Sequence, residues 1–595
     1  MSEQAPVSPE TAETDTDEQD GRAPDDGDTT QVETGAESVV AALENAGAET
    51  LFGVQGGAIM PVYDALYDSE ELTHITMAHE QGASHAADAY GIVTGKPGVC
   101  LATSGPGATN LVTGLADANM DSDPVIALTG QVPTNFVGND AFQETDTVGV
   151  TQPVTKHSYF ADSADTVGDD VGEAFALAAE GRQGPTLVDL PKDVTQGETD
   201  VQPSPAEGPD TYEPPTTADP DNVETAAQAL ADSEKPVILA GGGVVKAEAS
   251  EELRAFAKEY EIPVITTMPG IGSFPEDHEL SLEWAGMHGT GYANMAITNT
   301  DCMLAIGTRF DDRLTGGVET FAPDAELIHV DIDPAEISKN IEADHPLVGD
   351  AKHVIDQVHE AMPAAPDADE WREQCQTWKD EYPLEYDTPD DEPLKPQYVV
   401  ERFSELADDD AVVTTGVGQH QMWASQYWTF TEPRTWVSSH GLGTMGYGVP
   451  SAIGAKIGAP DQEVVCFDGD GSFLMTVQEL SVAVRENLDI TYVVLNNEAV
   501  GMVRQWQDGF YEGRRMASEY PWIPEFDKLA EAFGARGFRL EDYDRVDDVI
   551  EAAREYDGPA VIDAIIDPAE NVYPMVPSGG DNGLFALNGD QLDDI

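Results

Sequence analysis

Basic residues are scarce in this chain. Lys and Arg together number 28 against 113 Asp and Glu, which leaves a formal net charge of -85. Nucleic-acid binding calls for a basic stripe, and the sequence contains none. Because the acidic residues are spread over every segment, we interpret them as a halophilic surface. Concentrated counterions shorten the Debye length to about 3 Å at 1 M salt and relieve the repulsion among such charges.

Cysteines and long apolar runs are also few. The four cysteines, Cys100, Cys302, Cys375 and Cys466, are far apart and form no metal-type pair, which favours a reduced, cytoplasmic compartment. No stretch approaches the roughly 18 consecutive apolar residues of a membrane span, and the N-terminus lacks a basic segment followed by an apolar one. We therefore expect neither secretion nor a membrane span.

The chain of 595 residues is too long for one hydrophobic core and predicts three or four domains. Apolar runs of strand length alternate with segments of helical periodicity, which is typical of α/β domains with parallel sheets. We predict three doubly wound parallel-sheet domains, and the two flanking ones share one plan. The predicted divisions are a disordered acidic tail (1–33), a first α/β domain (34–200), a linker (201–222), a central α/β domain (223–365), a second linker (366–394), a third α/β domain (395–570) and a C-terminal tail (571–595).

One stretch of the third domain predicts a site for a diphosphate and a magnesium ion. A strand-length run leads into Gly469-Asp470-Gly471-Ser472, a helical segment follows, and the next apolar run ends at Asn496-Asn497. In a β-α-β unit both clusters lie at the carboxyl ends of parallel strands, where ligands collect. Glycines let the backbone approach a phosphate, and carboxylate and amide oxygens suit magnesium. Gly-Asp-Gly alone is an ordinary turn signal, so the prediction depends on the paired asparagines.

A glutamate in the first domain is the second candidate. Glu80 follows His79 at the start of a predicted helix that runs through Tyr90. The ordinary explanation is a solvated first-turn glutamate that interacts with the helix dipole. The family resemblance described below favours instead a carboxyl shielded from water for proton transfer.

Three strand-like runs of the central domain end in glycine or aspartate. They lead into Gly241-Gly242-Gly243, Gly307-Thr308-Arg309 and Asp331-Ile332-Asp333. Strands that end in this way suit a nucleotide, although glycine turns after strands are usually only turns. The pattern alone leaves a cofactor in this domain open.

Over residues 35 to 580 the chain resembles the catalytic subunits of the acetolactate synthase (acetohydroxyacid synthase) family of thiamine diphosphate enzymes. Any one of the shared motifs can arise by accident, whereas the ordered set indicates the family. The resemblance implies that pyruvate is decarboxylated on thiamine diphosphate and that the two-carbon unit is joined to pyruvate or 2-ketobutyrate. The motifs are His79-Glu80-Gln81-Gly82-Ala83, Gly130-Gln131-Val132-Pro133, Asp140-Ala141-Phe142-Gln143-Glu144-Thr145, Pro191-Lys192-Asp193, Gly286-Met287-His288-Gly289-Thr290, Arg309-Phe310-Asp311-Asp312-Arg313 and Gly501-Met502-Val503-Arg504-Gln505-Trp506.

The resemblance also implies cofactors and partners. Thiamine diphosphate and Mg²⁺ would bind the two flanking domains, the first on its pyrimidine side and the third on its diphosphate side. FAD, which takes no part in net redox, would bind the central domain. The partners would be a second copy of the chain, which completes each active site at a dimer interface, and a small regulatory subunit.

Roles carry over from the family to individual residues. Arg313 would pair with the carboxylate of the second substrate, and Trp506 would favour the extra methyl of 2-ketobutyrate. The implied catalytic residues are Glu80, Phe142, Gln143, Lys192, Arg313, Met502 and Trp506. The implied thiamine diphosphate contacts are Glu80, Gln419, His420, Gly443, Thr444, Met445, Asp470, Gly471, Ser472 and Asn497, with Asp470, Asn497 and the Ala499 carbonyl as magnesium ligands. The implied FAD contacts are Arg182, Gly241, Gly242, Thr267, Met268, Met287, His288, Gly307, Thr308, Arg309, Phe310, Asp311, Asp331, Ile332, Gly349 and Asp350.

Three positions depart from the usual residues of the family. His440 stands where a glycine is usual near the diphosphate, which puts a cofactor contact there in question. Thr134 and Asn135 replace residues that are commonly basic at the channel mouth, and this weakens the expected steering of anionic substrates.

Two alternative functions compete with this interpretation. One is a pyruvate oxidase with the same cofactors, and Trp506 and Arg313 argue against it. The other is a catalytically inactive relative that acts in assembly, and the retention of Glu80, Asp470 and Asn497 argues against that.

Overall fold

The computed structural model describes residues 32–388 and 393–592. All but the last two residues of the predicted acidic tail, 1–33, lie outside the described residues. Thr34 caps the first helix as its spacing predicts, since its hydroxyl accepts a hydrogen bond from the backbone N–H of Glu37 at 3.3 Å. Within the described ranges, no helix combines the length and apolar character that a membrane span needs.

The N-terminal unit is a six-stranded parallel sheet in the order β2-β1-β3-β4-β6-β5. Alternate residues of its strands enter two different hydrophobic clusters, so helices cover both faces. Its strands are β1 (Thr50–Gly53), β2 (Thr73–Thr76), β3 (Gly98–Ala102), β4 (Val125–Gln131), β5 (His157–Phe160) and β6 (Thr186–Pro191). Its helices are α1 (Gly35–Asn45), α2 (Met60–Leu66), α3 (Glu80–Thr94), α4 (Pro106–Asn110), α5 (Val112–Asp121), α6 (Thr147–Thr151), α7 (Val167–Ala179) and α8 (Lys192–Thr195).

The central unit is a second six-stranded parallel sheet, in the order β12-β11-β10-β7-β8-β9. If β7 is counted as strand 1 and the sheet is read from β9 to β12, the order is 3-2-1-4-5-6. Dinucleotide-binding folds have the same order. Its strands are β7 (Pro236–Ala240), β8 (Val264–Thr266), β9 (Ser281–Trp284), β10 (Cys302–Ile306), β11 (Glu326–Asp331) and β12 (His345–Val348). Its helices are α9 (Pro220–Asp232), α10 (Gly242–Lys246), α11 (Ser250–Tyr260), α12 (Gly291–Asn299), α13 (Asp312–Thr315), α14 (Ala351–Ala361) and α15 (Asp369–Glu381).

The C-terminal unit is the third six-stranded parallel sheet, in the order β14-β13-β15-β16-β18-β17. This order repeats that of the N-terminal sheet strand for strand, which confirms the predicted fold class and the shared plan of the flanking units. Its strands are β13 (Val412–Thr415), β14 (Trp436–Val437), β15 (Val464–Gly469), β16 (Ile490–Asn496), β17 (Arg536–Leu540) and β18 (Ala560–Ile565). Its helices are α16 (Pro396–Leu406), α17 (Gln419–Tyr427), α18 (Gly448–Gly458), α19 (Asp470–Thr476), α20 (Leu480–Arg485), α21 (Gly501–Phe510), α22 (Phe526–Phe533) and α23 (Val546–Arg554).

The stretch predicted as the second linker, 366–394, is in part a packed helix. Trp371, Cys375 and Trp378 recur on one face of α15 and are buried in a hydrophobic cluster of the central unit. Nε1 of Trp371 donates to the carbonyl oxygen of Pro236 at the start of β7. The high acidic content of this segment suggested a solvated connection, but its two tryptophans and its cysteine supply the apolar face of a helix.

The N-terminal and C-terminal units pack on each other through α3 and α18. A Cβ on Gly454 of α18 would lie 1.9 Å from the carbonyl oxygen of Ala86 in α3, so only glycine allows this approach. One hydrophobic cluster continues from Phe52 in β1 across this contact to Phe473 in α19. The two flanking sheets are therefore held in a fixed relationship.

Candidate active site

The predicted magnesium ligands lie together at the carboxyl ends of β15 and β16. Asp470 opens α19 after β15, and Asn497 follows the last residue of β16, which pairs with β15 in parallel. The buried carboxylate of Asp470 accepts hydrogen bonds from the backbone N–H of Gly471 at 2.6 Å and of Ala499 at 3.1 Å. The second bond brings the backbone of Ala499, the third predicted ligand, to the same carboxylate.

The chemistry of these donors fits a magnesium ion. Burial raises the pKa of Asp470 to about 7, in spite of its backbone hydrogen bonds, and a divalent cation beside the carboxylate would favour the ionised form. A carboxylate, an amide and a carbonyl are the few protein ligands that magnesium takes beside phosphate oxygens and water. Across the described ranges, no three His, Cys, Asp or Glu side chains converge as a metal-binding cluster.

Gln419, the first residue of α17, fixes the amide of Asn497. Its Oε1 accepts from Nδ2 of Asn497 at 3.1 Å, which directs the carbonyl oxygen of Asn497 away from Gln419. Its own Nε2 donates to Oε1 of Gln505 at 2.9 Å. A Cβ on Gly501 would lie 1.9 Å from Oε1 of Gln419, so a side chain at that position is incompatible with this arrangement.

The glycine turn, residues 441–446, faces the same group. The backbone N–H of Gly446 donates to the hydroxyl of Ser472 at 2.9 Å, which ties the turn to the first turn of α19. Gly446 has a φ of 88°, a conformation that favours glycine. Thr444 is buried, and Met445 beside it is half-buried.

One buried polar atom in this region, Nε2 of His420, makes no hydrogen bond within the protein, although it lies 3.4 Å from Oδ1 of the buried Asp468. Burial lowers the pKa of His420 to about 3, so its ring is neutral at ordinary pH. Buried polar atoms normally find a hydrogen-bond partner, and a polar cofactor bound against α17 would supply one.

A cavity of about 1190 Å³ opens beside this group, between the C-terminal and central units. Pockets for small molecules usually measure about 300–1000 Å³, so this one has room for more than one small molecule. It gathers predicted thiamine diphosphate, substrate and FAD contacts. Those in its lining are Gly443, Met502 and Trp506 from the C-terminal unit and Thr267, Met268, Met287, His288, Arg309, Asp311 and Arg313 from the central unit.

Arg313 and Trp506 face each other across this cavity. The guanidinium carbon of Arg313 lies 5.7 Å from the centroid of the Trp506 ring, within cation–π range. Nη1 of Arg313 also points at Sδ of Met287 at 3.7 Å. Nη1 of Arg313 also lies 3.8 Å from Oδ2 of the exposed Asp312, and 57% of the Arg313 side chain is exposed, so the guanidinium is accessible to an anion.

A second cavity of about 330 Å³ adjoins the first and shares Thr267, Arg309 and Asp311 with it. It lies over the point where the central sheet reverses its strand order, between β7 and β10, which is where dinucleotides bind in such sheets. A Cβ on Gly243 would lie 2.6 Å from Cα of Gly307, so the two glycine turns approach more closely than any side chain permits. Other predicted FAD contacts in its lining are Arg182, Gly242, Gly307, Thr308, Asp331, Ile332 and Asp350.

The remaining predicted FAD contacts lie outside both cavity linings. The ring of Phe310 packs in the core, 5.0 Å from the His329 ring and 5.7 Å from the Phe321 ring. Gly241 and Gly349 are glycines without room for a side chain: a Cβ would lie 2.1 Å from the Gly307 carbonyl oxygen and 2.8 Å from the Val354 side chain, respectively. Phe310 is therefore a core residue next to the turn that follows β10.

Glu80 belongs to a separate half of the site. It opens α3 after the N-cap His79, whose Nδ1 accepts from the backbone N–H of Gln81. Oε2 of Glu80 accepts from Nδ2 of Asn110 at 2.9 Å. Its Oε1 lies near Gly107, where a Cβ would be 3.4 Å away. The carboxyl is thus oriented by Asn110 and half-buried.

Three further predicted substrate residues lie on this N-terminal half. A Cβ on Gly105, next to the Glu80 group, would lie 2.8 Å from the carbonyl oxygen of Gln143. Phe142 precedes Gln143 and is 87% exposed. Lys192 opens α8 directly after β6. None of these residues, nor Glu80, lines either of the two cavities, so the predicted site residues of one chain form two separate groups.

The charge of the large cavity reverses that of the chain. Arg309, Arg313, Lys339 and Arg514 line it against Asp311 and Asp312, whereas acidic residues outnumber basic ones throughout the molecule. Lys339 and Arg514 were not predicted from the sequence. In a chain with so few cations, a cavity that collects four of them favours anionic ligands.

The C-terminal tail contributes contacts that sequence reasoning missed. The backbone N–H of Val576 donates to the carbonyl oxygen of Met287 at 2.8 Å, and Nδ1 of His288 lies 3.2 Å from the carbonyl oxygen of Pro574. Nδ2 of Asn582 donates to the carbonyl oxygen of Leu314. These bonds hold the central-unit wall of the cavity, but irregular chain carries no periodicity by which they could be found.

Three family models match the chain. They are "Thiamine pyrophosphate enzyme, N-terminal TPP binding domain" over residues 33–150, "Thiamine pyrophosphate enzyme, central domain" over 223–358, and "Thiamine pyrophosphate enzyme, C-terminal TPP binding domain" over 416–564. Thiamine pyrophosphate is another name for thiamine diphosphate. Each match falls on one of the three units.

The chain is also similar to curated proteins over most of its length. It is 48% identical over 558 residues to the acetolactate synthase large subunit of Corynebacterium glutamicum, covering 92% of this chain and 89% of that one. It is 45% identical to the acetolactate synthase large subunit of Parasynechococcus marenigrum, covering 94% and 91%. With the acetolactate synthase isozyme 2 large subunit of Escherichia coli K12 it shares 44% identity, covering 92% and 98%.

Proposed function

The chain belongs to the acetolactate synthase large-subunit family of thiamine diphosphate enzymes, and from this premise we propose the reaction that its site performs. The chain decarboxylates pyruvate and joins the two-carbon unit to pyruvate or 2-ketobutyrate, giving 2-acetolactate or 2-aceto-2-hydroxybutyrate. This is the first common step of branched-chain amino acid biosynthesis. The observation that carries the proposal is the cationic cavity in which Arg313 and Trp506 face the glycine turn.

The C-terminal half-site holds the cofactor. Thiamine diphosphate, when bound, supplies a nucleophilic carbon and an electron sink. Asp470, Asn497 and the Ala499 carbonyl would hold its magnesium ion, and Gln419 orients the Asn497 amide for this. The close contact between Gly501 and Gln419 keeps side chains out of this space.

The N-terminal half-site supplies the proton-transferring group. Glu80 holds a proton at Oε1 for the aminopyrimidine ring, while Asn110 fixes its Oε2. Because Glu80 lines neither cavity of its own chain, it serves the cofactor of a second copy, as the family resemblance implies. Phe136 and Phe142 beside the N-terminal half-site, and Leu442 and Met475 beside the C-terminal one, expose apolar surface that such a dimer would bury.

Substrate recognition rests on charge and shape. Arg313 receives the carboxylate of the second keto acid, because a guanidinium fork matches a carboxylate. Trp506 packs against the methyl group that distinguishes 2-ketobutyrate from pyruvate. Arg514 adds positive charge to the cavity, whereas Lys339 is paired with Glu336 at 2.8 Å. Phe142, Gln143 and Lys192 of the second copy close the channel.

FAD would bind in the smaller cavity and in the part of the large cavity that the central unit lines. The strand order, the close approach of Gly243 and Gly307, and the shared lining at Thr267 and Arg309 fit an extended dinucleotide. The proposed reaction has no net redox change, so FAD has a structural role. The protein should therefore bind FAD while it consumes neither oxygen nor an electron acceptor.

The proposal extends to the setting of the enzyme. The chain acts in the cytoplasm of a halophile as a dimer or tetramer, together with a small regulatory subunit. The proposed domains are a pyrimidine-binding domain (34–200), an FAD domain (223–365, to which the packed helix α15 is added) and a diphosphate-binding domain (395–570). The four cysteines, all buried and free, are consistent with a reducing compartment.

The test is product analysis. Purified protein is supplied with pyruvate, thiamine diphosphate, Mg²⁺ and FAD at about 1 M KCl, where surface charge is screened. We expect acetolactate and carbon dioxide in equal amounts, with no oxygen uptake. Peroxide formation with oxygen uptake would identify a pyruvate oxidase instead, and failure to bind thiamine diphosphate would identify an inactive relative.

A further inference from the structure

One carboxylate joins all three units at the wall of the large cavity. Asp121 ends α5 of the N-terminal unit, and only 5% of its side chain is exposed. Its Oδ2 accepts from the backbone N–H of His440 at 2.7 Å, and its Oδ1 accepts from that of Gly441 at 2.7 Å. Asp121 therefore holds the residue at which the glycine turn begins.

The imidazole of His440 adds a second contact to the same carboxylate. Its Nε2 accepts from Nε1 of Trp436 at 2.9 Å. Because an indole nitrogen is only a donor, this Nε2 carries no proton and the proton of the neutral ring is on Nδ1. Nδ1 lies 3.5 Å from Oδ2 of Asp121. The departure of His440 from the family's usual glycine thus produces a contact with protein.

The central unit meets Asp121 through Arg309. Nη2 of Arg309 lies 3.8 Å from Oδ1 of Asp121, and Nη1 donates to the carbonyl oxygen of Met120. A Cβ on Gly441 would lie 2.9 Å from Oδ1 of Asp121 and 3.0 Å from Nη2 of Arg309. The three groups are therefore in direct contact, and Arg309 and Gly441 both line the cavity.

The groups around Asp121 favour the ionised form of its carboxylate. Burial alone would raise the pKa of Asp121, but hydrogen bonds from His440 and the charge of Arg309 bring it below the usual range. A buried charge is tolerated when donors surround it, and its hydrogen bonds are then stronger than neutral ones. Removing the charge should weaken all of these contacts together.

We infer that Asp121 is a positioning residue that couples the two cofactor sites, because it fixes the glycine turn and Arg309 relative to each other, with His440 as an additional clamp. This inference rests on the proposed function, since it assigns thiamine diphosphate to the glycine turn and FAD to the side of Arg309. Binding at one side orders Asp121 and its partners and so favours binding at the other.

The experiment measures two dissociation constants on the intact protein in high salt. The Kd of thiamine diphosphate with Mg²⁺ is obtained from tryptophan fluorescence, with and without saturating FAD, and the Kd of FAD from flavin fluorescence, with and without thiamine diphosphate. In the parent protein we expect each cofactor to tighten the other by the same factor, about fivefold or more, because coupling is reciprocal.

Asp121→Asn should raise both Kd values at least about tenfold and reduce the coupling factor to near one. The NH2 group of the asparagine would face one of the two backbone N–H donors, so one of the two hydrogen bonds is lost. Glu276→Gln is the matched control, because this buried carboxylate also joins two units, through the backbone N–H of Phe430 at 2.7 Å, but lines neither cavity. It should leave both Kd values and the coupling factor unchanged.

His440→Gly provides a second variant that keeps both backbone donors. It should raise the Kd of thiamine diphosphate by about three- to tenfold, because one hydrogen-bonded side chain is lost. If the parent binds neither cofactor, the proposed function itself fails. If the parent binds both with coupling, and folded Asp121→Asn retains the parental Kd values and coupling, Asp121 has no positioning role. If folded His440→Gly retains them, His440 is not an additional clamp.

Discussion

Arg313 and Trp506 form one recognition unit, with the guanidinium carbon 5.7 Å from the centre of the indole ring. Arg313 belongs to the central unit and Trp506 to the C-terminal unit, so the pair spans the cavity. The proposed anchor for a carboxylate and the proposed surface for an alkyl group therefore lie 5.7 Å apart. A 2-keto acid presents the same two features a few bonds apart.

Trp506→Leu should separate these two contributions. Loss of the ring removes contact with the extra methyl of 2-ketobutyrate, which is worth about 1–3 kcal/mol or a 10- to 200-fold preference. We expect acetolactate formation to persist while the ratio of acetohydroxybutyrate to acetolactate falls at least several-fold. Competition between the two keto acids, with both products quantified, measures this ratio. An unchanged product ratio with lowered stability would make Trp506 an ordinary packing residue.

Gly501→Ala should disrupt cofactor binding. The new Cβ would meet Oε1 of Gln419 at 1.9 Å and Nδ2 of Asn497 at 2.7 Å, so the amide that holds a magnesium ligand must move. We expect the affinity for Mg²⁺ and thiamine diphosphate to fall by on the order of 10-fold or more, as when other groups that orient metal ligands are lost. Isothermal titration measures the affinity.

Gly172→Ala is the control for this substitution. Gly172 lies inside α7, and a Cβ there would have its nearest neighbour at 3.5 Å, an ordinary contact. It should leave cofactor affinity unchanged and stabilise the fold by up to about 1 kcal/mol. Equal affinities for the two alanine variants would show that the Gln419 amide does not position the ligand.

Much of this architecture is encoded locally. The run Val464–Gly469 followed by Asp470, and the run Ile490–Asn496 followed by Asn497, predict both strands and the place where their polar ends meet. Short apolar strands in a parallel sheet are buried on both faces, so their composition identifies them. The strand order is not encoded in this way, since the central unit alternates strands and helices as the flanking units do but has a different order.

Other features depend on partners distant in sequence and carry no local signal. The contact of Asp121 with His440 joins positions more than 300 residues apart. The helix at 369–381 was predicted as a linker because its charge hides the burial of Trp371 and Trp378. Arg514 lies in an irregular segment, and only the folded cavity reveals its place. Such features follow from packing among units, which periodicity does not describe.

Glu479 should make stability depend on pH. This side chain is fully buried against the start of α3, where its Oε2 accepts from the backbone N–H of Ala78 at 3.0 Å. Burial raises its pKa from 4.5 to about 7. The folded state therefore binds a proton that the unfolded state releases, so its contribution is full below pH 4.5 and is lost as the pH rises through about 7.

Glu479→Gln removes this titration. The parent should lose on the order of 2–3 kcal/mol of unfolding free energy relative to the variant between about pH 5 and pH 8. Denaturant melts of both proteins across this range give the difference, in which all other titrations cancel. The exposed Glu531→Gln should follow the parent. Parallel curves for parent and Glu479→Gln would contradict the assignment of this titration to Glu479.

The net charge of -85 should make folding depend on salt. Self-repulsion grows as the screening length increases from about 2 Å near 3 M salt to about 10 Å near 0.1 M. We expect the melting temperature and the activity to rise with KCl over this range and to decay on dialysis. Tetramethylammonium chloride at matched ionic strength tests whether screening alone is enough to raise the melting temperature. A melting temperature that stays constant across the range would contradict a halophilic surface.

The central claim is that Glu80 of one chain and the Asp470 group of another act on the same cofactor. Alone, Glu80→Gln should bind thiamine diphosphate but lose about 10²-fold or more in rate, and Asp470→Asn should bind it weakly. The direct measurement mixes the two inactive variants, unfolds and refolds them together in high salt, and assays acetolactate. Random pairing in a two-fold dimer gives half mixed dimers, each with one intact site, so about a quarter of the parental activity should return. Activity no greater than that of the separate variants would contradict the shared site.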